Sequence, residues 1–179
     1  MFTCLNWRHS LEEPRKKTVV IVGVPGVGKS TIISNATQTL INMGMTVRTV
    51  VFGSVMFEEA KKLGINHRDE LRKLSIELQQ KLQTKAANYI SRVKESTVIV
   101  DTHLFIKTKS GYYPGLPMNL VLKLKPDRLV LVTANSEEIL KRRKSDNTRV
   151  RDINSDDDIK MDIDVSLSII SSLSILTGA

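Results

Sequence analysis

The segment that most constrains this chain is "GVPGVGKST" at residues 23–31, which lies between the apolar run "TVVIV" and the sequence "IISNATQTLINMG". Gly23, Gly28, Lys29 and Ser30 satisfy the pattern G-x-x-x-x-G-K-[ST]. The glycines let several backbone N–H groups point inward, and the start of a following helix adds partial positive charge. Because a strand-like run precedes the segment and a helix-like run follows it, the pattern predicts a loop that binds a nucleoside triphosphate.

Each part of this loop has an expected contact with the nucleotide. Lys29 is expected to reach the terminal phosphates, and the hydroxyl of Ser30 is expected to bind Mg²⁺, the cofactor that we predict. Asp101 ends the apolar run "TVIVD", where a second acidic group is expected near the magnesium, acting through water. An aspartate at the end of a strand can also simply cap a turn. The predicted ATP-binding residues are Gly23, Val24, Pro25, Gly26, Val27, Gly28, Lys29, Ser30 and Thr31.

The order of apolar and helical stretches predicts an α/β fold in which helices flank a parallel sheet. The runs "TVVIVG", "TVRTVVFG", "STVIVD" and "RLVLVT" are typical of buried strands, and "THLFIKTKSGYYPGLP" is expected to be a loop. Ser136 is expected to cap one helix, and Pro117 could open another. The predicted domain covers residues 18–179 and follows a polar, poorly ordered extension at residues 1–17. The other predicted helices cover 29–43, 55–63, 68–94 and 156–176.

The net charge of +8 is unevenly distributed. Residues 141–151, "KRRKSDNTRVR", hold six basic side chains and one acid, whereas residues 152–164 hold six acids and one lysine. A dense local cluster fits a polyphosphate better than a long polyanion, and 4% aromatic residues argue against a surface for single-stranded RNA. Arg142, Arg149 and Arg151 are predicted to act in catalysis from a basic lid, because guanidinium groups stay charged and bind phosphate in pairs of hydrogen bonds. Arg143 and Lys144 could equally be solvated residues of a helix face.

Several classes of protein are disfavoured by what the chain lacks. The N-terminal segment has no apolar core typical of a secretory signal, and no apolar run approaches the length that spans a bilayer. We therefore expect a cytoplasmic protein without a membrane partner. A switch GTPase would need an N-K-x-D motif, which the sequence lacks. A compact kinase is favoured, and the alternatives are another small-molecule kinase or an ATP- or RNA-binding protein without kinase activity.

Four segments together resemble one known family. The segments "GVPGVGKST", "RDELRKLS", "DTHLFIKTKSGYYPGLP" and "RRKSDNTRVRD" are similar to the archaeal type of adenylate kinase, in order, from about Val19 to Ala179. The resemblance implies a P-loop kinase fold and reversible phosphoryl transfer from Mg²⁺-bound ATP to AMP, giving two ADP. It also implies assembly into homotrimers.

The same resemblance suggests how the remaining site residues act. It implies that helices over about residues 53–94 bind AMP, that Arg72 faces the AMP phosphate, and that Lys107 neutralises the same phosphate. It also implies a short lid over about residues 142–152. His103 is expected to have an orienting or structural role, because phosphoryl transfer through a loose transition state needs little base catalysis.

The sequence departs from the family pattern after its last helix. Members of the family continue into a fifth parallel strand and a turn that helps to hold the adenine of ATP, whereas this sequence ends at "SILTGA". We therefore expect the fifth strand to be absent and the run "RLVLVT" to form an open sheet edge. Either a truncated chain or a naturally short one would explain this pattern.

Overall fold

A computed structural model describes residues 16–108, 111–145 and 155–179 of the chain. Strands and helices alternate along most of it, which confirms the predicted α/β class. The strands are β1 (Lys17–Val22), β2 (Val47–Val51), β3 (Thr97–Asp101), β4 (Phe105–Thr108), β5 (Gly111–Pro114) and β6 (Arg128–Leu131). The helices are α1 (Lys29–Asn42), α2 (Phe52–Lys61), a 3₁₀ helix (Arg68–Lys73), α3 (Ile76–Ser91), α4 (Met118–Leu124), α5 (Ser136–Ser145) and α6 (Asp156–Thr177).

The main sheet has four strands in the order β2-β3-β1-β6, and all three pairings are parallel. In the register of the central strands, Asp101 of β3 lies beside both Ile21 of β1 and Val51 of β2. The carboxyl ends of these three strands therefore meet at one edge of the sheet. The chain crosses to the opposite side of β1 when it forms β6, and ligands of open α/β sheets bind beside such a reversal of strand order.

The core consists of two apolar layers, one on each face of the sheet. Val20 and Val22 of β1 point into the layer that also contains residues of α3 and α4. Ile21 points into the other layer, together with Ile33 of α1 and Ile139 of α5. Side chains alternate between the two faces of a strand, so a strand covered on both faces needs a continuous apolar run. This requirement explains why β1 contains the continuous apolar run "TVVIV".

The single long helix predicted over residues 68–94 is wrong. The segment instead forms the 3₁₀ helix, an extended residue at Leu74 and then α3. Ser75 separates the two helices, because its side chain accepts a hydrogen bond from the backbone N–H of Leu78 and caps the start of α3. A serine cap stabilises a new helix start and competes with a continuous helix at that position.

The loop predicted after Asp101 is also wrong in part, because β4 and β5 form an antiparallel hairpin there. The rings of Phe105 and Tyr112 meet edge to face across the hairpin, with centroids 4.6 Å apart. An edge-to-face pair of aromatic rings adds stability beyond the area that it buries. The hairpin is a separate sheet of two strands and does not extend the main sheet.

The cap predicted at Ser136 is wrong, because the cap of α5 lies one residue earlier. Asn135 caps α5, because its side-chain oxygen accepts a hydrogen bond from the N–H of Glu137 at 2.9 Å, and Ser136 is the first helical residue. Helix α6 occupies the predicted position and begins with a capping box between Ser155 and Asp158.

Strand β6 is an edge strand of the main sheet. Within the part of the chain that the structure describes, β6 pairs only with β1, and 38% of Val130 is exposed. The predicted open edge at "RLVLVT" therefore holds for the described residues. No helix among these residues has the length and apolar character needed to cross a membrane.

Candidate active site

The loop between β1 and α1 has the backbone geometry of a phosphate cradle. Gly26 and Gly28 have φ angles of +87° and +95°, in the left-handed region that favours glycine. Gly28 is also the N-cap of α1, and neither a side-chain cap nor an acidic residue occupies the first turn of that helix. The first N–H groups of a helix need partners from outside the helix, and an anion supplies them well. The loop is therefore suited to bind phosphate.

Lys29 and Asp101 form an ion pair at the edge of the sheet, although 72 residues separate them in the chain. Only 9% of the Lys29 side chain and 13% of the Asp101 side chain are exposed. Burial lowers the pKa of Lys29 to about 8, and the carboxylate beside it favours the ammonium form, so the side chain is cationic at neutral pH. The residue expected to reach the phosphates and the acid expected near the metal thus lie together.

The donor groups present here fit a magnesium ion. Ser30 is exposed in the first turn of α1, and the Asp101 carboxylate lies at the end of the neighbouring strand, so both offer hard oxygen atoms. Across the described residues, no cluster of three or more His, Cys, Asp or Glu side chains could enclose a metal by itself. Mg²⁺ commonly takes one or two protein oxygens and completes its octahedron with phosphates and water. Ser30 and Asp101 match that mode of binding.

His103 connects the segment after β3 to the phosphate loop. Its Nδ1 atom lies 3.1 Å from the backbone oxygen of Gly23, the first residue of the loop. Gly115 packs closely behind this segment, because a Cβ atom at that position would lie 2.5 Å from the backbone oxygen of His103. These contacts support the predicted orienting or structural role of His103.

Two arginines of α5 contact the phosphate loop. The Nη1 atom of Arg142 donates to the backbone oxygen of Val27 at 3.1 Å, and the Nε atom of Arg143 donates to that of Pro25 at 2.8 Å. Sequence reasoning left Arg143 open as a solvated residue, whereas the structure places it directly on the loop. The other two predicted lid residues, Arg149 and Arg151, lie outside the described residues.

The two residues expected at the acceptor phosphate lie on different elements, Lys107 in β4 and Arg72 on the 3₁₀ helix. The Nζ atom of Lys107 in β4 is 3.1 Å from Oδ1 of Asp158 and 3.7 Å from Oδ1 of Asp162, both in α6. The hydrogen bond to Asp158 is the main reason that the pKa of Lys107 is raised. Arg72 is exposed on the 3₁₀ helix, and no hydrogen bond or ion pair joins it to another described residue.

Sequence reasoning missed two polar groups that lie near these elements. Asp162 is only 4% exposed and accepts a hydrogen bond from the hydroxyl of Tyr112 at 2.9 Å, which joins α6 to the hairpin. Arg68 lies beside the start of α2, with its Nη1 atom 3.4 Å from the Oγ atom of Ser54. Arg68 opens the segment "RDELRKLS" that carries the family resemblance, but no role was assigned to it there. No local pattern marks Asp162, because its contact with Tyr112 joins segments that are distant in the sequence.

Comparisons with known proteins identify relatives for most of the chain. A family model described as "AAA domain" matches residues 22–160. A protein named adenylate kinase from Methanocaldococcus jannaschii is 49% identical over 143 residues, which cover 79% of this chain and 74% of the relative. One of the same name from Pyrococcus furiosus is 46% identical over 141 residues, which cover 78% of this chain and 70% of the relative.

A solved structure supports the fold independently of close sequence identity. The crystal structure of a shikimate kinase from Bacteroides thetaiotaomicron aligns with a TM-score of 0.56, and the alignment covers 90% of this chain and 83% of that one. At 12% identity, this likeness concerns the fold alone.

Proposed function

The chain belongs to the family of the archaeal adenylate kinases, and we propose that it transfers the terminal phosphoryl group of Mg²⁺-bound ATP reversibly to AMP, giving two ADP. The observation that carries this proposal is the contact between Lys29 and Asp101 at the phosphate loop. A cation for the terminal phosphates and an acid for the metal are the two protein groups that such a transfer needs most.

The chemistry follows from charge and position. Phosphoryl transfer spreads negative charge over the oxygens of the moving group, so catalysis depends on positioning and electrostatic stabilisation. The loop N–H groups and the Lys29 ammonium bind the phosphates of the donor, and Arg142 lies close enough to the loop to join them. Ser30 and Asp101 would hold Mg²⁺, which would supply positive charge against the phosphate oxygens.

A basic lid excludes water from the transfer in this proposal. Arg142, Arg149 and Arg151 belong to a short segment over about residues 142–152, and closure of that segment brings guanidinium groups to the phosphates. The hydrogen bond from Arg142 of α5 to the backbone oxygen of Val27 in the phosphate loop supports this part of the proposal. The cytoplasmic location and the homotrimer are further parts of the proposal, and both rest on the family.

The acceptor nucleotide lies on the side of β2 and the helices over about residues 53–94. Arg72 and Lys107 are the proposed ligands of its phosphate. For Lys107, binding requires an exchange of partners, because its ammonium is now paired with Asp158 and Asp162. An AMP phosphate would replace these carboxylates as the negative partner.

The decisive experiment measures ADP formation from ATP and a panel of nucleoside monophosphates in the presence of Mg²⁺. We expect AMP to be the preferred acceptor. The Lys29→Met variant, purified in the same way, is the matched control for contaminating kinases and should be nearly inactive. Equal use of CMP, UMP and AMP would contradict the acceptor specificity, and no transfer to any monophosphate would contradict the proposed function.

A further inference from the structure

Arg143 of α5 lies against the phosphate loop, although it is distant from the loop in the sequence. Its Nε atom donates to the backbone oxygen of Pro25 at 2.8 Å. Its side chain also packs directly on Gly26, because a Cβ atom at that glycine would lie 3.0 Å from the Cγ atom of Arg143. Gly26 therefore leaves room for this arginine in addition to adopting a positive φ angle. These contacts allow Arg143 to influence the shape of the loop.

The carbonyl that Arg143 binds belongs to the central peptide of a tight turn. The N–H of Val27 donates to the backbone oxygen of Val24 at 3.3 Å, which closes the turn. The φ angle of Gly26 is +87°, and the ring of Pro25 fixes its φ near about −65°, so the turn is of type II. A type I turn closed by the same hydrogen bond differs by a rotation of roughly 180° of the central peptide. Glycine permits both forms, because it adopts positive and negative φ angles about equally well.

The orientation of this peptide decides where one N–H group of the loop points. The described residues contain no cis peptide bond, and the C=O and N–H groups of a trans peptide point in opposite directions. Because the oxygen of Pro25 faces Arg143, the N–H of Gly26 points away from α5. A rotation to the type I form would exchange the two groups and turn the carbonyl oxygen to that side.

A second peptide of the loop has the same orientation. The Nη1 atom of Arg142 donates to the backbone oxygen of Val27 at 3.1 Å, so the N–H of Gly28 also points away from α5. Gly28 is the N-cap of α1, where the first N–H groups of the helix need an external partner. The N–H groups of Gly26 and Gly28 therefore leave the loop on one side, and successive donors of this kind attract an anion.

We propose that Arg143 is a positioning residue of the donor site: it holds the turn in the type II form and so directs the N–H of Gly26 at the phosphates of the nucleoside triphosphate. The inference deepens the function proposed above and rests on it. Arg143 acts through the backbone of the loop and does not contact the nucleotide. Without its hydrogen bond, the central peptide rotates more readily, and the carbonyl oxygen of Pro25 then repels the phosphates.

Glutamine separates the hydrogen bond from the charge at this position. The Nε2 atom of glutamine has the same place in the side chain as the Nε atom of arginine, so Arg143→Gln keeps the donor and removes the charge. Arg143→Lys keeps the charge and places its donors farther along the chain, and Arg143→Met keeps neither. Lys141→Met removes an exposed charge from the same helix and is the matched control.

The experiment determines kcat, the KM for ATP and the KM for AMP, and measures the Kd for Mg²⁺-bound ATP without AMP by titration calorimetry. Loss of one hydrogen bond to a charged group should raise the KM and the Kd for ATP about 5- to 20-fold in Arg143→Met, with the KM for AMP changed less than about twofold. Arg143→Gln should remain within about threefold of the wild type, and Arg143→Lys should be intermediate. Lys141→Met should leave all four constants unchanged.

Three results would overturn the assignment. An Arg143→Gln variant as weak as Arg143→Met, beside a nearly normal Arg143→Lys, would show that the charge acts on the phosphates directly. Unchanged ATP binding in Arg143→Met would show that the loop does not need this residue. Equal rises in both KM values, together with a lower Tm, would show a general structural role.

The calorimetric measurement separates this inference from the function on which it rests. If the wild type binds ATP but transfers no phosphoryl group to AMP, the proposed function is wrong, and ATP binding by the variants still tests Arg143. If Arg143→Met does not fold, the comparison of Arg143→Gln with Arg143→Lys decides between a hydrogen bond to the loop and a charge on the phosphates.

Discussion

Replacing Lys29 with methionine tests whether the ion pair at the phosphate loop exists in solution. Methionine keeps most of the volume of lysine but leaves the Asp101 carboxylate, only 13% exposed, without its cation. Removing one partner of a fully buried pair costs about 3–5 kcal/mol, and the partial exposure here lowers the expected loss to about 2–3 kcal/mol. Two unit charges 4 Å apart interact by about 4 kcal/mol at an effective dielectric constant of 20, so a loss of this size is reasonable.

The complete test is a double-mutant cycle with Lys29→Met, Asp101→Asn and the double variant. Urea unfolding of the four proteins, without nucleotide and without magnesium, gives their free energies of unfolding. Each single variant leaves one charge unpaired and should lose about 2–3 kcal/mol, which corresponds to a fall of about 4–12 °C in Tm for a chain of this size. The double variant leaves neither charge, so its loss should be about 2 kcal/mol smaller than the sum of the single losses.

Two results would refute this reasoning. Single losses that add up to the double loss within about 0.5 kcal/mol would show that the two side chains do not interact. The second concerns activity, because a folded Lys29→Met variant should turn over about 100- to 1,000-fold more slowly than the wild type. Near-normal turnover would show that Lys29 does not stabilise the transferred phosphoryl group.

Three further predictions concern the surroundings of the site. Gly115→Ala should destabilise the protein by about 1–3 kcal/mol in urea unfolding, because its Cβ atom would lie 2.5 Å from the backbone oxygen of His103. Unchanged stability would show that the backbone at His103 can move away from the added Cβ atom. Arg142→Ala should lower kcat more than it raises the KM for AMP, and a change in the KM alone would place Arg142 at the acceptor. Hydrogen bonds hold the pKa of Asp158 below its usual value, and the bond from Ser155 is the largest cause. The stabilising effect of the ionised carboxylate is therefore present at neutral pH and is lost as the pH falls through that lowered pKa. The difference in free energy of unfolding between wild type and Asp158→Asn should disappear in acid.

Much of the fold could be predicted because its signals are local. A continuous apolar run followed by glycines, lysine and serine predicts a buried strand, a tight loop and a helix start, and the structure has β1, the loop and α1 at those positions. The parallel order of the sheet followed from the alternation of strands and helices. Predictions failed where a short-range hydrogen bond competed with periodicity, as at Ser75, which divides a continuous apolar pattern into two helices.

The candidate site was only partly predictable for a different reason. Lys29, Ser30 and Asp101 belong to recognisable local patterns, so the sequence identified them, but the contact between Lys29 and Asp101 depends on the pairing of β1 with β3. The hairpin was missed because its aromatic pair forms only across the two strands, between Phe105 and Tyr112.

The sequence by itself determined the elements whose formation depends on neighbouring residues, namely the phosphate loop, the buried strands and the start of α1. The tertiary structure decided which distant side chains share the site. It placed Arg143 on the backbone oxygen of Pro25, turned Lys107 towards α6 and brought Arg68 to the start of α2. The physical reason is that backbone conformation and strand burial are set largely by local sequence, whereas charged side chains on separate elements meet only after the sheet has fixed the order of its strands.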